Sequence, residues 1–216
     1  MTFGKSTNSW PLRLSALFLI WLFLPGPAPM SLAQLSPQSD GEAESPDWNV
    51  DQLIESLARN RQAEVRFEET AFSNLLTRPL KTHGILRFTP PDGLEKHITA
   101  PYDERYLVEG DRVLFEGKTK GTNRTLSLHD YPALRAFIEA FRSTLANDVG
   151  TLKRFYRVTL QGEPRQWVLM LHPLDKSVQE LVTSIRFSGE REHVSSIEVL
   201  APNGDRSVMS ITKGAP

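Results

Sequence analysis

The chain has 216 residues, 25 of them basic and 26 acidic, with five histidines, no cysteine and a formal net charge of −1. This balance excludes the basic field of a nucleic-acid binder and gives no strong overall pull toward anionic membranes. The lack of cysteine excludes disulfides and also a lipid-modified N-terminus, which would need a cysteine at the cut.

The first segment reads as a cleavable secretory signal. Lys5 and Arg13 supply a positive flank, Leu14 to Leu24 is apolar apart from Ser15, and Pro25-Gly26 breaks the run. Ser31-Leu32-Ala33 places small residues at the two positions that a signal peptidase reads, so cleavage is expected after Ala33. The apolar run is about half of the roughly 20 residues a spanning helix needs. Removing 33 of 216 residues leaves 183, enough for one domain with a sizeable core. Losing two of the 25 basic residues leaves 23 against 26 acidic ones, a net charge of −3. The expected product is a soluble protein outside the cytoplasm.

Residues 34–46 (QLSPQSDGEAESP) are polar and twice interrupted by proline, so they are expected to be a flexible leader to a domain spanning 47–213. Asp47 suits an N-cap for a short helix with Trp48, Leu53, Ile54 and Leu57 on its apolar side. The period then changes. Ala63, Val65 and Phe67 alternate with Glu64, Arg66 and Glu68, the pattern of a strand with one face buried. Further strands are expected at Leu80 to Thr89, Leu94 to Thr99, Arg105 to Glu109, Val113 to Glu116 and Thr122 to Leu128. A strong helix starts at Pro132, with Leu134, Phe137, Ile138, Phe141 and Leu145 spaced by three and four, and ends near Asn147. Strands resume at Phe155 to Leu160 and Gln166 to Leu171, with a helical turn at Ser177 to Leu181. Thr183 to Ser188 pairs with Val194 to Leu200, and the Asn203-Gly204 turn leads into Arg206 to Thr212. Many short antiparallel strands with a few inserted helices point to an α+β class: one strongly curved sheet wrapped around helices.

The chain contains no glycine-rich phosphate loop, no nucleophile elbow and no histidine pair at metal spacing. His83, His97, His129, His172 and His193 are scattered and point to no catalytic or metal-binding group, and no cofactor is implied. Asn123-Arg124-Thr125 matches a glycosylation acceptor by chance spacing. What remains is an apolar inner surface: Val65, Phe67, Leu86, Phe88, Trp167, Leu169 and Leu171 on the concave side of the sheet, faced by Leu134, Phe137, Ile138 and Phe141. Periodicity leaves two readings open for them, an ordinary core or the lining of a cavity.

The chain carries Ala63-x-Val65-x-Phe67-x-Glu69, then Gly84-Ile85-Leu86-Arg87-Phe88 with Pro90-Pro91, His97-x-Thr99-x-Pro101 and Gly110-Asp111-x-Val113. In this order and spacing they resemble the LolA family of periplasmic lipoprotein carriers. Trp167-x-Leu169-x-Leu171-x-Pro173 and Gly204-Asp205-x-Ser207 look like a divergent branch of it. The resemblance implies an unclosed antiparallel β-barrel with helices forming a lid over an apolar cavity, with the helix from Pro132 to Leu145 in the lid. In that family an arginine just before the proline ending the second strand pins the lid. Here Thr89 and Pro90 precede Pro91, and Arg87, slightly earlier on the strand, is the candidate gate.

The resemblance also implies a monomeric periplasmic carrier of acylated lipoprotein, loaded by an inner-membrane ATP-driven transporter and unloaded to an outer-membrane acceptor. The missing cysteine places this chain on the carrier side, since the acceptor is itself a lipoprotein. Two other readings stand beside it: a carrier or sensor of another lipid, such as a lipid-linked biosynthetic product, and an acyl hydrolase or transferase.

Overall fold

The computed structural model describes residues 48–59, 63–118 and 121–213. The expected signal and leader lie outside the described residues, as does Asp47. The helix it was expected to cap starts at Val50, and Asn49 caps it instead, accepting from the Gln52 N–H at 3.1 Å while its own N–H donates to the Gln52 side chain at 3.2 Å. Every described element belongs to one compact unit, Leu35–Pro216.

Eleven strands form a single antiparallel sheet. They are β1 (Glu64–Phe72), β2 (Leu80–Thr89), β3 (Gly93–Ala100), β4 (Glu104–Glu109), β5 (Arg112–Gly117), β6 (Thr122–Ser127), β7 (Tyr156–Glu163), β8 (Gln166–Pro173), β9 (Ser184–Glu190), β10 (His193–Leu200) and β11 (Arg206–Lys213). The helices are α1 (Val50–Arg59), α2 (Pro132–Ala146), α3 (Val149–Phe155) and the single turn α4 (Lys176–Gln179). The strand order β6-β5-β4-β3-β2-β1-β11-β10-β9-β8-β7 is a meander cut open at one place. The cut falls where α2 and α3 are inserted between β6 and β7, so those two strands become the edges. The first and last strands meet in the middle, with Phe67 opposite Ile211 and Phe72 opposite Arg206. The sheet is curved and unclosed, as expected.

Local chemistry explains the helix ends. Pro132 occupies the first turn of α2, where its missing N–H costs nothing, and Asn147 closes the helix with a left-handed φ of 63°. Asp148 then caps α3 by accepting a hydrogen bond from the Thr151 N–H at 2.8 Å. This second helix was not expected. Its seven residues bury only Leu152, too little periodic signal to distinguish it from the start of the next strand.

The buried core draws on both halves of the sheet: Trp167, Leu169, Leu171 and Ile185 on β8 and β9, and Phe67, Phe88, Ile98 and Val113 on β1 to β5. Helix α1 packs against α2, α3 and β7, burying Leu53, Ile54 and Leu57. Tyr156 on β7 donates its hydroxyl proton to the Ala136 carbonyl of α2 at 2.9 Å, tying helix to sheet inside the core. Two large rings lie flat on the sheet only because glycine faces them. A Cβ at Gly84 would strike the Phe67 ring and the His97 carbonyl, and one at Gly189 would strike the Trp167 ring and the His193 carbonyl.

Candidate functional site: the inner face of the sheet and its covering helix

Strand alternation and register place Val65, Phe67 and Glu69 of β1 on the same face as Thr82, Leu86 and Phe88 of β2 and Lys96 of β3. That face continues through Tyr106, Phe115, Met209 and Ile211. Its coverage is uneven, which separates core from cavity lining. Trp167, Leu169, Leu171 and Leu134 are at most 1% exposed, so they border no space that water can enter and form filled core. Phe67, Phe88 and Ile138 are also buried. By contrast Val65, Leu86, Phe115, Met209 and Ile211 on the inner face are only half-buried, as are Phe137 and Phe141 on α2. Phe137 and Phe141 meet edge to face at 5.1 Å, and Phe141 meets Phe187 of β9 at 5.6 Å. Phe141 therefore stands at the border between the filled core and the incompletely covered surface.

The fastening of α2 differs from the expectation. Arg87 lies on the opposite face of β2 from Leu86 and Phe88, where it donates to Glu64 at 2.7 Å and Glu95 at 2.9 Å. Arg105 joins the same Glu95, so Arg87 is one rung of a charge ladder across the outside of the sheet and cannot reach a helix on the inside. The arginine that fastens the helix is Arg142 on α2 itself. Its Nε donates to the Asp92 carbonyl at 2.7 Å and its Nη2 to the Gly110 carbonyl at 2.6 Å. These carbonyls belong to the β2–β3 and β4–β5 turns, so one guanidinium holds the C-terminal half of α2 to two hairpin tips. The guanidinium fork suits two separate acceptors in a way that an ammonium does not. Glu139, one turn earlier, lies 3.5 Å from Nη1 and supplies the countercharge.

Residues 42–215 match the family described as outer membrane lipoprotein carrier protein LolA-like. The chain belongs to that family. No curated protein matches it in sequence. Among solved structures, a LolA superfamily protein, NE2245 from Nitrosomonas europaea, is similar at 11% identity and a TM-score of 0.41, over 76% of this chain and 94% of that one. An outer membrane lipoprotein-sorting protein domain from Vibrio parahaemolyticus gives 9% identity and a TM-score of 0.42, over 76% and 90%. The MucA/MucB complex of Pseudomonas aeruginosa gives 13% and 0.41, over 77% of this chain and 58% of that one. At these levels of likeness none of them carries an argument about function.

One feature of this LolA-like inner face was not anticipated. Glu69 is 7% exposed and accepts hydrogen bonds from the Lys96 ammonium at 2.6 Å, the Ser207 hydroxyl and, more loosely, the Thr82 hydroxyl at 3.4 Å. Burial alone would raise its pKa, but Lys96 and the two hydroxyls outweigh that and hold the carboxyl below its ordinary range. The Lys96 ammonium also lies 5.3 Å from the centroid of the Phe67 ring. The strand pattern carried a hint: Glu69 and Lys96 both occupy positions that alternation assigns to the apolar face. The histidines offer no comparable grouping. His97 meets Asp103 at 2.9 Å and His83 lies 3.6 Å from Glu68, both on the outer face. Among the described residues no cluster could hold a metal ion.

Proposed function

We propose that this protein is a periplasmic carrier that binds acyl chains of lipoproteins without a covalent bond and shuttles them from inner to outer membrane. An inner-membrane ATP-driven transporter would load it, and an outer-membrane acceptor would unload it. The observation that carries the reading is the set of half-buried apolar side chains on the inner face, together with the half-buried Phe137 and Phe141 on α2. The family to which the chain belongs supports it.

Shielding each acyl CH₂ from water contributes about 0.8 kcal/mol, so a multiply acylated cargo cannot cross water unprotected. Complete burial of several chains would approach the ceiling of non-covalent affinity, and the cargo would not leave. A partly open apolar surface under a fastened helix meets both needs. Half of it is already packed as core, which limits how much chain can be enclosed. The test is titration with a fluorescent acyl probe. Phe137→Ala and Phe141→Ala should each weaken binding about tenfold while the protein stays folded. Unchanged binding in both folded variants would contradict the reading.

A second reading, a carrier of another lipid with a polar head, draws on the Glu69–Lys96 pair. A buried ion pair adds little net stability compared with apolar residues of similar shape. Its position on the inner face therefore favours a ligand with a group to match.

A further inference from the structure

Two large apolar side chains among the described residues are exposed, Leu75 at 72% and Leu174 at 48%. Both lie at one end of the sheet. Leu75 sits in the loop between β1 and β2, while Leu174 follows directly on β8. The register connects them through Phe72 opposite Arg206, Leu200 opposite Arg206, and Ser184 opposite Leu200. The exposure of Leu75 does not come from fraying. Asp205 accepts hydrogen bonds from the Ser73 hydroxyl at 2.7 Å and the Asn74 N–H at 3.2 Å, and the Leu75 N–H donates to the Ser73 hydroxyl. The loop is built to hold a leucine out in water.

Basic side chains flank it in the sequence. Arg78 and Lys81 are exposed beside Leu75, while Arg206 lies 4.5 Å over the Phe72 ring at the foot of the loop and 3.8 Å from the Glu198 carboxylate. The carboxylates of this end are engaged by neighbours: Asp103 by His97 and Lys118, Asp175 by the first turn of α4, and Asp205 by the loop itself. Glu180 remains exposed beyond them. The turns at the opposite end carry Asp92, Asp111, Asp130 and Glu192 against Arg165 and Arg191.

We propose that the Leu75 end is a docking rim for an anionic lipid bilayer. Leu75 enters the interfacial layer while Arg78 and Lys81 lie against lipid phosphates. An apolar tip flanked by cations with long apolar stems matches that layer, which is apolar beneath and anionic at its surface. One leucine and two cations give a weak, reversible contact, suited to a protein that must leave again. The rim is separate from the inner face and uses none of its residues.

The chain has no cysteine, so a single label can be placed at will. The experiment uses the unit Leu35–Pro216, which contains the whole described core and omits the apolar run at Leu14 to Leu24. Leu75→Cys and, as a control at the other end, Arg191→Cys carry an environment-sensitive fluorophore. Vesicles are phosphatidylglycerol with phosphatidylethanolamine, or phosphatidylcholine alone. The expected result is a blue shift at position 75 on anionic vesicles only, and none at position 191. Flotation of unlabelled protein should fall about tenfold with Leu75→Ser, and about tenfold with Arg78→Ser and Lys81→Ser combined. A label at 75 that stays water-like on anionic vesicles, or equal flotation of Leu75→Ser, overturns the proposal. So does a shift that requires membranes bearing protein and disappears after protease treatment, because it would assign the rim to a protein partner. The vesicles hold no acylated cargo, so failure here leaves the carrier reading standing.

Discussion

Replacing Arg142 by methionine should free the covering helix without unfolding the domain. Its two hydrogen bonds to the Asp92 and Gly110 carbonyls are short and charge-assisted, and each such bond contributes about 1.5–3 kcal/mol. Part of that loss is returned. The side chain is 8% exposed, so removing its charge recovers desolvation free energy. The Gly110 carbonyl lies on an exposed turn where water can replace the lost donor, and methionine keeps the apolar stem. The net loss is about 2 kcal/mol, and it falls on the contact between α2 and the hairpin tips. Hydrogen exchange resolves where it acts: amides of Ile138 to Ala146 should exchange about thirtyfold faster, while those of β8 and β9 stay protected. Arg142→Lys should behave similarly, since an ammonium cannot reach both carbonyls as a planar fork does. Equal acceleration in β8, β9 and α2 would refute the reasoning, because it would make Arg142 a global core residue and not a local fastener.

Other outcomes follow from the inner face and the packing around it. Lys96→Met leaves Glu69 buried and unpaired, which should cost about 3–5 kcal/mol at pH 7 by denaturant unfolding. In the parent protein the lowered Glu69 pKa contributes stability that is present above the ordinary carboxylate value of 4.5 and lost as pH falls through the folded value. In Lys96→Met the folded pKa is raised instead, so the deficit against the parent should shrink as pH falls from 7 toward 5; a deficit independent of pH contradicts this. Glu69→Gln combined with Lys96→Met should recover most of the loss, as a shape-preserving neutral pair. Gly189→Ala should cost about 3 kcal/mol through collision with the Trp167 ring and the His193 carbonyl, and a thermal midpoint equal to the parent would contradict the packing described.

The sheet was largely legible from alternation. Leu80 to Thr89 forms the expected strand, and Pro132 opens the expected helix. The pairing of β1 with β11 was not legible, because nothing local in Val65 or Ile211 records a partner more than a hundred residues away. Arg142 was overlooked for a different reason. A charged residue on an amphipathic helix normally faces water, and only the carbonyls of two distant turns make its burial tolerable. Arg87 is the opposite case: alternation with Leu86 and Phe88 already assigns it to the outer face, and the family resemblance drew attention away from that parity. The division of the inner face into filled core and open lining depends on how closely the helices cover each half, which periodicity does not encode.

A carrier is defined by what lies on the uncovered part of its inner face. The most telling measurement is native mass spectrometry of the protein purified without detergent from the cell that makes it. A carrier should yield a one-to-one complex with an acylated lipoprotein, its acyl chains intact, that is lost from Phe137→Ala combined with Phe141→Ala. A protein recovered empty that also fails to retain acylated lipoprotein in vitro, or one that releases free fatty acid from it, would contradict the account.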